Sequence, residues 1–194
     1  MLFNNTGTFT RTFTICFVDV PITHPYQQAV YWALDAGVTT GYTDGSGRFG
    51  IGDNVTRGQT VMFLWRTANE PEPESSKQTF KDVPTSHPFY KAIQWAYENG
   101  ITTGYSGKPG YFGLYDGCTR GQIMMFLWRF EGMPEPANTT TPYFTDVGVS
   151  HGFFKAVQWA SENHITNGYS DGTFGVNRNC TRGHCIQFLY KVAA

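Results

Sequence analysis

The chain lacks several features that would assign it to a common functional class. No stretch approaches 18 consecutive apolar residues, so a membrane-spanning helix is not predicted. Fourteen basic residues almost balance fifteen acidic ones, and a net charge of −1 gives no bulk attraction to nucleic acid or to an anionic membrane. Nucleophile-elbow, phosphate-loop and HExxH sequences are missing, which argues against the enzyme classes that those motifs define.

The cysteines show no CxxC spacing and therefore do not predict a zinc site. They are Cys16, Cys118, Cys180 and Cys185. Two interpretations remain open, namely small buried side chains or a disulfide whose pairing the sequence cannot assign. Residues 1–16 lack the basic start, apolar middle and cleavage site of a signal peptide, so we expect either a cytoplasmic protein or a piece of a longer exported chain.

Threefold internal repetition is the strongest signal in the sequence. The related segments are FVDVPITHPYQQAVYWALDAGVTTGY from Phe17, FKDVPTSHPFYKAIQWAYENGITTGY from Phe80 and FTDVGVSHGFFKAVQWASENHITNGY from Phe144. A Thr-Arg pair follows in each copy, at 56–57, 119–120 and 181–182. Linker-like segments rich in proline and small polar residues separate the copies. We therefore divide the chain into an extension (1–16) and three repeats (17–74, 80–136 and 144–194).

Each repeat predicts a helix, a Gly-rich turn or short hairpin, and a second helix. The first helices are expected to begin near residues 23, 86 and 150, where Thr or Ser can cap the chain end. The second helices are expected to begin at Thr56, Thr119 and Thr181, the first two with a capping box. The run from Val61 to Trp65 is apolar on nearly every face, which is typical of a buried helix. We predict a mainly α fold in which three helix-turn-helix repeats surround a central helical bundle in a pseudo-threefold arrangement.

Arg57, Arg120 and Arg182 occupy the first position of the three second helices. The helix dipole disfavours a cation there, yet all three repeats carry one. Each arginine is either solvated or paired with a carboxylate of a neighbouring repeat, or it forms an anion receptor together with exposed helix N–H groups. The recurrence in all three repeats leads us to adopt the anion receptor as a hypothesis.

A tryptophan recurs on the first helix as Trp32, Trp95 and Trp159. Helical geometry places this residue roughly 120° from the centre of the apolar stripe, so it flanks the buried face. It either packs against the next repeat or forms the aromatic wall of a groove, where a sugar ring could lie against it. Trp65 and Trp128 lie within the apolar run of the second helix and are predicted to belong to the core.

Two further polar positions recur in all three repeats. The aspartates of the F-x-D-V motif either organise the turn that enters the helix or contact a ligand, and they are Asp19, Asp82 and Asp146. The histidines could meet at a metal if the repeats are arranged threefold, but turn capping is the ordinary role at such positions, and they are His24, His87 and His151. We predict neither a metal nor a cofactor.

Roughly residues 17–194 resemble three tandem S-layer homology repeats. The resemblance rests on five motifs that follow one another in this order: F-x-D-V, A-(V/I)-x-W-A, G-(V/I)-T-x-G-Y, D-G-x-F-G and T-R-G-Q. The resemblance implies a pseudo-trimer that anchors exported bacterial proteins to secondary cell-wall polysaccharide, often through a pyruvylated terminal sugar. It also implies that the three arginines contact the sugar carboxylate and that Trp32, Trp95 and Trp159 line the groove. In this chain the Ala-Glu of the family's Thr-Arg-Ala-Glu motif is replaced by Gly-Gln twice and by Gly-His once.

We therefore expect a non-enzymatic module that anchors a surface protein non-covalently to the cell wall by binding an anionic polysaccharide in grooves between repeats. The location implied is extracellular, at the cell wall or cell surface. The alternative is a protein-interaction or self-assembly module that binds no glycan, and self-association is left open. An enzyme acting on glycans is not expected, because no acid/base pair of carboxylates is apparent.

Overall fold

The computed structural model describes residues 17–194, which form a mainly α fold with two helices in each repeat. The helices are α1 (Gln27–Asp35), α2 (Arg57–Thr67), α3 (Tyr90–Glu98), α4 (Arg120–Phe130), α5 (Phe154–Glu162) and α6 (Arg182–Ala193). Between them the described chain forms turns, one of the two predicted alternatives, together with four isolated β-bridges. Within residues 17–194 the longest helix has 12 residues, too short to cross a bilayer.

The second helices of the three repeats lie at the centre. α2, α4 and α6 contact one another pairwise, and the run Val61–Leu64 of α2 is buried on all sides. Each first helix packs against the second helix of the preceding repeat, with α3 on α2, α5 on α4 and α1 on α6. The contacts therefore close into a ring, as the apolar pattern predicted, while the pseudo-threefold symmetry itself stays a prediction.

A closed set of backbone hydrogen bonds joins the three repeats just before their second helices. The N–H of Val55 donates to the carbonyl of Cys180, that of Cys118 to Val55, and that of Cys180 to Cys118, each over 2.9 Å. All three side chains are almost completely buried. This arrangement brings the N-termini of the three second helices together, because each begins one or two residues later.

The two kinds of helix begin differently. The second helices begin as predicted, and the Thr56 and Thr119 side chains complete capping boxes with Gln59 and Gln122. The prediction for the first helices is wrong by about four residues, because α1, α3 and α5 begin only at residues 27, 90 and 154. The reason is a hydrogen-bonded turn, in which the N–H of His24 donates to the carbonyl of Pro21 and that of Gln27 to His24.

Each first helix is followed by a residue in the left-handed conformation, which glycine adopts most easily. Gly37 has a φ of 72° and Gly100 a φ of 70°. His164 occupies the same position in the third repeat with a φ of 57°, where a side chain is strained. The third repeat therefore keeps the turn without the residue that best tolerates it.

The cysteines that the structure describes are buried free thiols. Cys118, Cys180 and Cys185 are each at most 3% exposed. This confirms for them the interpretation as small buried side chains, and no two of the three form a disulfide with each other. Cys16 and the extension 1–16 lie outside the described residues.

Candidate functional site

Each recurring arginine reaches from its own repeat into the next one. The Nε–H of Arg57 donates to the carbonyl of Phe112, that of Arg120 to Phe174, and that of Arg182 back to Phe49 in the first repeat, each over 2.9 Å. The three side chains are only 3–4% exposed. The arginines therefore lie between repeats, as the anion-receptor hypothesis requires, and they are largely buried rather than solvated.

Aromatic rings surround each guanidinium. The guanidinium carbon of Arg57 lies 4.4 Å from the ring centroid of Tyr105, and it also lies over Phe112 and Phe126. The corresponding tyrosines, at 4.8 Å and 4.6 Å, are Tyr169 for Arg120 and Tyr42 for Arg182. A cation over an aromatic face is stabilised by the ring quadrupole, and more so when water is excluded. These contacts offset part of the cost of burying the charge.

The other guanidinium nitrogens remain available to a ligand. Within residues 17–194 the three arginines form no ion pair, and each Nε has a carbonyl as its partner. Every fully buried polar side-chain atom of the described residues has a hydrogen-bond partner. Because no such partner is seen for the terminal Nη atoms, these atoms reach solvent. They are the donors with which a guanidinium binds a carboxylate through two parallel hydrogen bonds.

Two of the arginines line separate grooves of similar size. The groove of Arg57 has a volume of about 290 Å³, and that of Arg120 about 270 Å³. A second cation from the last turns of the adjacent helix lines each groove, namely Arg129 in the first and Lys191 in the second. Among the described residues that line them there is no carboxylate. Both grooves are therefore positively charged although the whole chain is almost neutral.

A histidine lines the Arg120 groove without adding charge to it at neutral pH. Burial and the positive charge of Arg120 lower the pKa of His184, which lines this groove. His184 is therefore neutral at pH 7, and the charge of the groove comes from Arg120 and Lys191. His184 also occupies the N-cap turn of α6, where its backbone N–H donates to the Thr181 hydroxyl.

The surroundings of Arg182 carry less positive charge than those of Arg57 and Arg120. The corresponding second cation is Arg66, whose Nη1 donates to the carbonyl of Val38 over 3.2 Å. Its Nε also lies 3.6 Å from the carboxylate of Glu70. At the position of Glu70 the second repeat has Met133, which carries no charge. The positive charge near Arg182 is therefore partly neutralised.

The tryptophans line different surfaces from the arginines. Trp95 is 7% exposed and Trp159 is 6% exposed, which corresponds to the packing interpretation. Trp32 is half-buried and lines a cleft of about 890 Å³ with Tyr190. Neither groove that contains Arg57 or Arg120 has a tryptophan among its described lining residues. The aromatic ring beside the cation is instead a tyrosine from the Gly-Tyr turn.

The aspartates hold the turns that position the arginines. The Asp82 carboxylate accepts the backbone N–H groups of Phe112, Gly113 and Leu114 at 2.8, 2.7 and 3.2 Å. Asp19 and Asp146 bind the equivalent turns in the same way. The carbonyl of Phe112 is in turn the acceptor for Arg57. This is the turn-organising role, and it connects each aspartate to an arginine through one residue.

The ionisation of these aspartates follows from the same contacts. Burial alone would raise the pKa of Asp82, but the N–H donors of Phe112, Gly113 and Leu114 outweigh it and hold the pKa below its usual value. The pKa values of Asp19 and Asp146 are lowered in the same way, by their own three donors against burial. The three aspartates are therefore charged at neutral pH.

The histidines cap turns. The Nδ1 atoms of His24, His87 and His151 accept the N–H of the residue two positions later, over 3.0–3.1 Å. In the part of the chain that the structure describes, no group of three or more His, Cys, Asp or Glu side chains could hold a metal ion. The three histidines therefore form no shared site there.

The T-R-G motif has glycine because the next repeat leaves no room for a side chain at this position. A Cβ at Gly121 would lie 2.5 Å from the ring of Phe153 and 2.7 Å from Val176, both in the third repeat. Gly58 and Gly183 approach the next repeat equally closely. An alanine would force the repeats apart, because real Cβ atoms do not approach other atoms so closely. Gln59 and Gln122, in place of glutamate, still complete the capping boxes.

Sequence reasoning missed two groups of residues around the arginines. One group is the aromatic rings that contact the guanidinium groups, and its main members are Tyr42, Tyr105, Tyr169, Phe63, Phe126 and Phe188. The other is the second cation at the end of each second helix, Arg66, Arg129 or Lys191. Both recur in register in the three repeats, and that recurrence was the available signal.

Comparisons with known proteins agree with this architecture. The family model of the S-layer homology domain matches residues 17–61, 79–108 and 143–184. A cell surface protein of Thermoanaerobacter kivui is 30% identical over 72% of this chain and 18% of its own length. The S-layer protein EA1 of Bacillus anthracis is 25% identical over 89% of the chain and 19% of its own length. An endoglucanase of Bacillus sp. (strain KSM-635) is 32% identical over 73% of the chain and 15% of its own length.

The chain thus spans less than a fifth of each of these relatives. There is one matched segment for each of the three repeats, and each begins within one residue of the F-x-D-V phenylalanine. Two of the three relatives are named as proteins of the cell surface or of the S-layer. This chain belongs to the S-layer homology domain family.

Proposed function

We propose that this chain is a non-enzymatic anchoring module that binds an anionic polysaccharide of the cell wall. The observation that carries the proposal is the charge of the grooves at Arg57 and Arg120. Each groove has two cations and, among its described lining residues, no carboxylate. A cation without an anionic partner in a partly closed groove attracts an anion strongly, because water and salt screen it less there than on an open surface.

A carboxylate on a sugar fits the geometry of these grooves. The Nε atom of Arg57 is already bound to a carbonyl, so the Nη atoms remain for a ligand. Arg129, whose Nη1 donates to the carbonyl of Ile101, adds a second cation to the lining, and Phe153 supplies an apolar surface. A volume of about 290 Å³ is near the lower limit for a small-molecule site, which suits one terminal sugar rather than a long segment. A pyruvylated terminal sugar, as the family resemblance implies, has this chemistry.

The three arginines are expected to contribute unequally. Arg57 and Arg120 have an unneutralised second cation nearby, whereas Glu70 lies close to the second cation beside Arg182. We propose that the first two sites bind the polysaccharide more tightly than the site at Arg182. A binding stoichiometry of two at moderate ligand concentration would agree with this order.

The experiment is a pull-down of the protein with purified cell-wall polysaccharide, before and after chemical removal of pyruvate. We expect binding to be lost after removal and to weaken with rising salt. Arg129→Gln tests the groove without removing the buried arginine, and we expect it to weaken binding about tenfold at that site. The matched control is Lys91→Gln, because Lys91 is exposed and pairs with Glu72 away from the grooves.

The direct test replaces Arg57, Arg120 and Arg182 together by alanine, with circular dichroism to establish that the variant is folded. Binding that survives in the folded triple variant contradicts the proposal. Binding that is indifferent to pyruvate removal would favour the alternative of a protein-interaction module, which would then show oligomers in solution without glycan.

A further inference from the structure

The turn that follows α3 carries two tyrosines that neither of the other repeats has at the same positions. Tyr111 stands where the first repeat has Arg48. Tyr115 stands where the first and third repeats have Gly52 and Asn177. Tyr115 is 75% exposed, more than any other aromatic side chain of residues 17–194. Burial of this ring therefore contributes little to the stability of the fold.

The ring of Tyr115 is held in place although it is exposed. The Nδ1 atom of His87 accepts the N–H of Phe89, so in the neutral imidazole the proton is on Nε2. This Nε2–H donates to the Tyr115 hydroxyl oxygen over 3.1 Å, and the two rings lie edge to face with their centroids 5.9 Å apart. The hydroxyl group is therefore an acceptor towards His87, and its own hydrogen is available to another acceptor.

Tyr115 lines a cavity of about 270 Å³, which we call the Tyr115 cavity. Three tyrosine rings share it with two carboxylates and one ammonium group, and the residues concerned are Tyr105, Tyr111, Tyr115, Asp82, Asp116 and Lys108. The Tyr105 hydroxyl donates to the carboxylate of Asp116 over 3.1 Å. The Nζ atom of Lys108 lies 3.9 Å from the ring centroid of Tyr111. Aromatic walls with a few well-placed polar groups are typical of a small-molecule site.

The Tyr115 cavity adjoins the groove of Arg57. Tyr105 lines both, and the guanidinium carbon of Arg57 lies 4.4 Å from the centroid of its ring. The backbone connects them as well, because the N–H of Arg57 donates to the carbonyl of Asp116 over 2.9 Å. A ligand that occupies the groove can therefore extend past Tyr105 into the cavity without leaving the protein surface.

We propose that the Tyr115 cavity binds a neutral sugar residue next to the terminal anionic sugar that the groove of Arg57 holds. This inference rests on the proposed function, because the anionic sugar brings its neighbour to the cavity. The C–H face of a pyranose ring packs on the ring of Tyr115, whose hydroxyl hydrogen binds a sugar hydroxyl oxygen. The carboxylate of Asp116 accepts a further sugar hydroxyl, and the ammonium group of Lys108 donates to another.

The charge of the cavity selects a neutral residue rather than a second anion. Its lining includes the carboxylates of Asp82 and Asp116 but one ammonium group, that of Lys108. The groove of Arg57, by contrast, has two cations and no carboxylate among its described lining residues. An anionic substituent is therefore attracted to the groove and repelled from the cavity. Sugar hydroxyl groups both donate and accept hydrogen bonds, so they suit the ammonium group and the carboxylates alike.

The first test compares two ligands by isothermal titration calorimetry with the full 194-residue chain. Purified cell-wall polysaccharide reaches both the groove and the cavity, whereas a pyruvylated monosaccharide fills the groove alone. We expect Tyr115→Ala to weaken polysaccharide binding at one site about fivefold and to leave monosaccharide binding unchanged. Tyr115→Phe, which keeps the ring but loses the hydroxyl, should weaken polysaccharide binding about twofold. The matched control is Tyr143→Ala, because Tyr143 is also exposed and lies beside Glu162 of α5.

A second test does not depend on the anionic groove. Neutral oligosaccharides are prepared from the polysaccharide after removal of pyruvate, and saturation-transfer NMR detects contacts that are too weak to survive a pull-down. We expect saturation transfer from the protein to these oligosaccharides at about millimolar concentration, and we expect Tyr115→Ala to abolish it. Arg129→Gln should leave the transfer unchanged, because Arg129 lines the neighbouring groove.

Three results would overturn the inference. They are full polysaccharide affinity in Tyr115→Ala, equal weakening of monosaccharide binding in that variant, and no saturation transfer that depends on Tyr115. The second would mean that the substitution acts through the turn that holds Arg57. Dimers of the unsubstituted chain that disappear in Tyr115→Ala would assign the ring to a second copy and would overturn it too. If neither pyruvylated ligand binds, the anchoring proposal fails, and the NMR measurement alone decides whether the cavity binds sugar.

Discussion

Replacing Asp82 by alanine should weaken both the fold and the groove at Arg57. The Asp82 carboxylate accepts three backbone N–H groups from residues 112–114. The carbonyl of Phe112, in the same turn, accepts the Nε–H of Arg57 from the preceding repeat. The substitution therefore releases the turn that holds the arginine, and Asp82 acts as a positioning residue that need not touch the ligand.

The magnitude follows from those three bonds. A hydrogen bond to a charged acceptor contributes about 1.5–3 kcal/mol when its loss leaves the donor buried and unsatisfied. The three bonds share one carboxylate, and Asp82 is partly exposed, so water can replace some of them. We expect a loss of about 3 kcal/mol in the free energy of unfolding, below the sum of three independent bonds. Urea unfolding followed by circular dichroism measures it.

The pH dependence gives an independent test of the same contacts. The folded pKa of Asp82 lies below its unfolded value of about 3.9. The stability that it contributes is therefore fully present above pH 3.9 and is lost as the pH falls through the folded pKa. Asp19 and Asp146 add to this loss in the same range, because their pKa values are lowered too. Asp82→Asn, which cannot ionise, should show a smaller loss of stability between pH 5 and pH 3 than the unsubstituted protein.

The control for these measurements is Glu72→Ala, which removes an exposed ion pair with Lys91 and should change stability by less than about 0.5 kcal/mol. A loss below about 1 kcal/mol in Asp82→Ala would refute the reasoning, since a single bond of this kind contributes more. An acid transition in Asp82→Asn identical to that of the unsubstituted protein would show that Asp82 is not among the groups responsible.

Three further predictions concern the packing of the repeats. His164→Gly should raise the free energy of unfolding by about 0.5–1 kcal/mol in urea, because a positive φ strains histidine but not glycine; a decrease would mean that its side chain is needed. Cys118 and Cys180, whose pKa values burial raises to about 11 and about 12, should not react with a thiol reagent at pH 8 until urea unfolds the protein; rapid native labelling would contradict their burial. Gly121→Ala should cost about 1–3 kcal/mol, whereas Gly52→Ala, where a Cβ meets no atom within 4 Å, should cost less; equal melting temperatures would argue against the close approach of the repeats.

Local patterns in the sequence were sufficient to predict where the second helices begin and that they are buried. The apolar run of Val61–Leu64 predicted a buried second helix, and Thr56 with Gln59 predicted its first turn, because caps and apolar periodicity depend on neighbouring residues alone. The same local reasoning expected the histidines to cap turns, yet it placed the first helices about four residues too early, before the turn in which the imidazole of His24 accepts a backbone N–H. Near His24 the chain could begin the helix or form a turn first, and the residue pattern did not indicate which of the two has the lower free energy.

The amino-acid sequence by itself determined that three related units share one core, and that each presents an arginine at the start of a buried helix. Only the tertiary structure decided what surrounds that arginine. Tyr105 and Phe112 belong to the repeat after Arg57, so the sequence places them far from it, and the contact arises where the repeats meet. The difference between the buried Trp95 and the half-buried Trp32 has the same origin. Within residues 17–194, the segment with Glu74 and Ser75 covers α3, whereas no described segment binds α1 in the same way, so equivalent tryptophans differ in exposure.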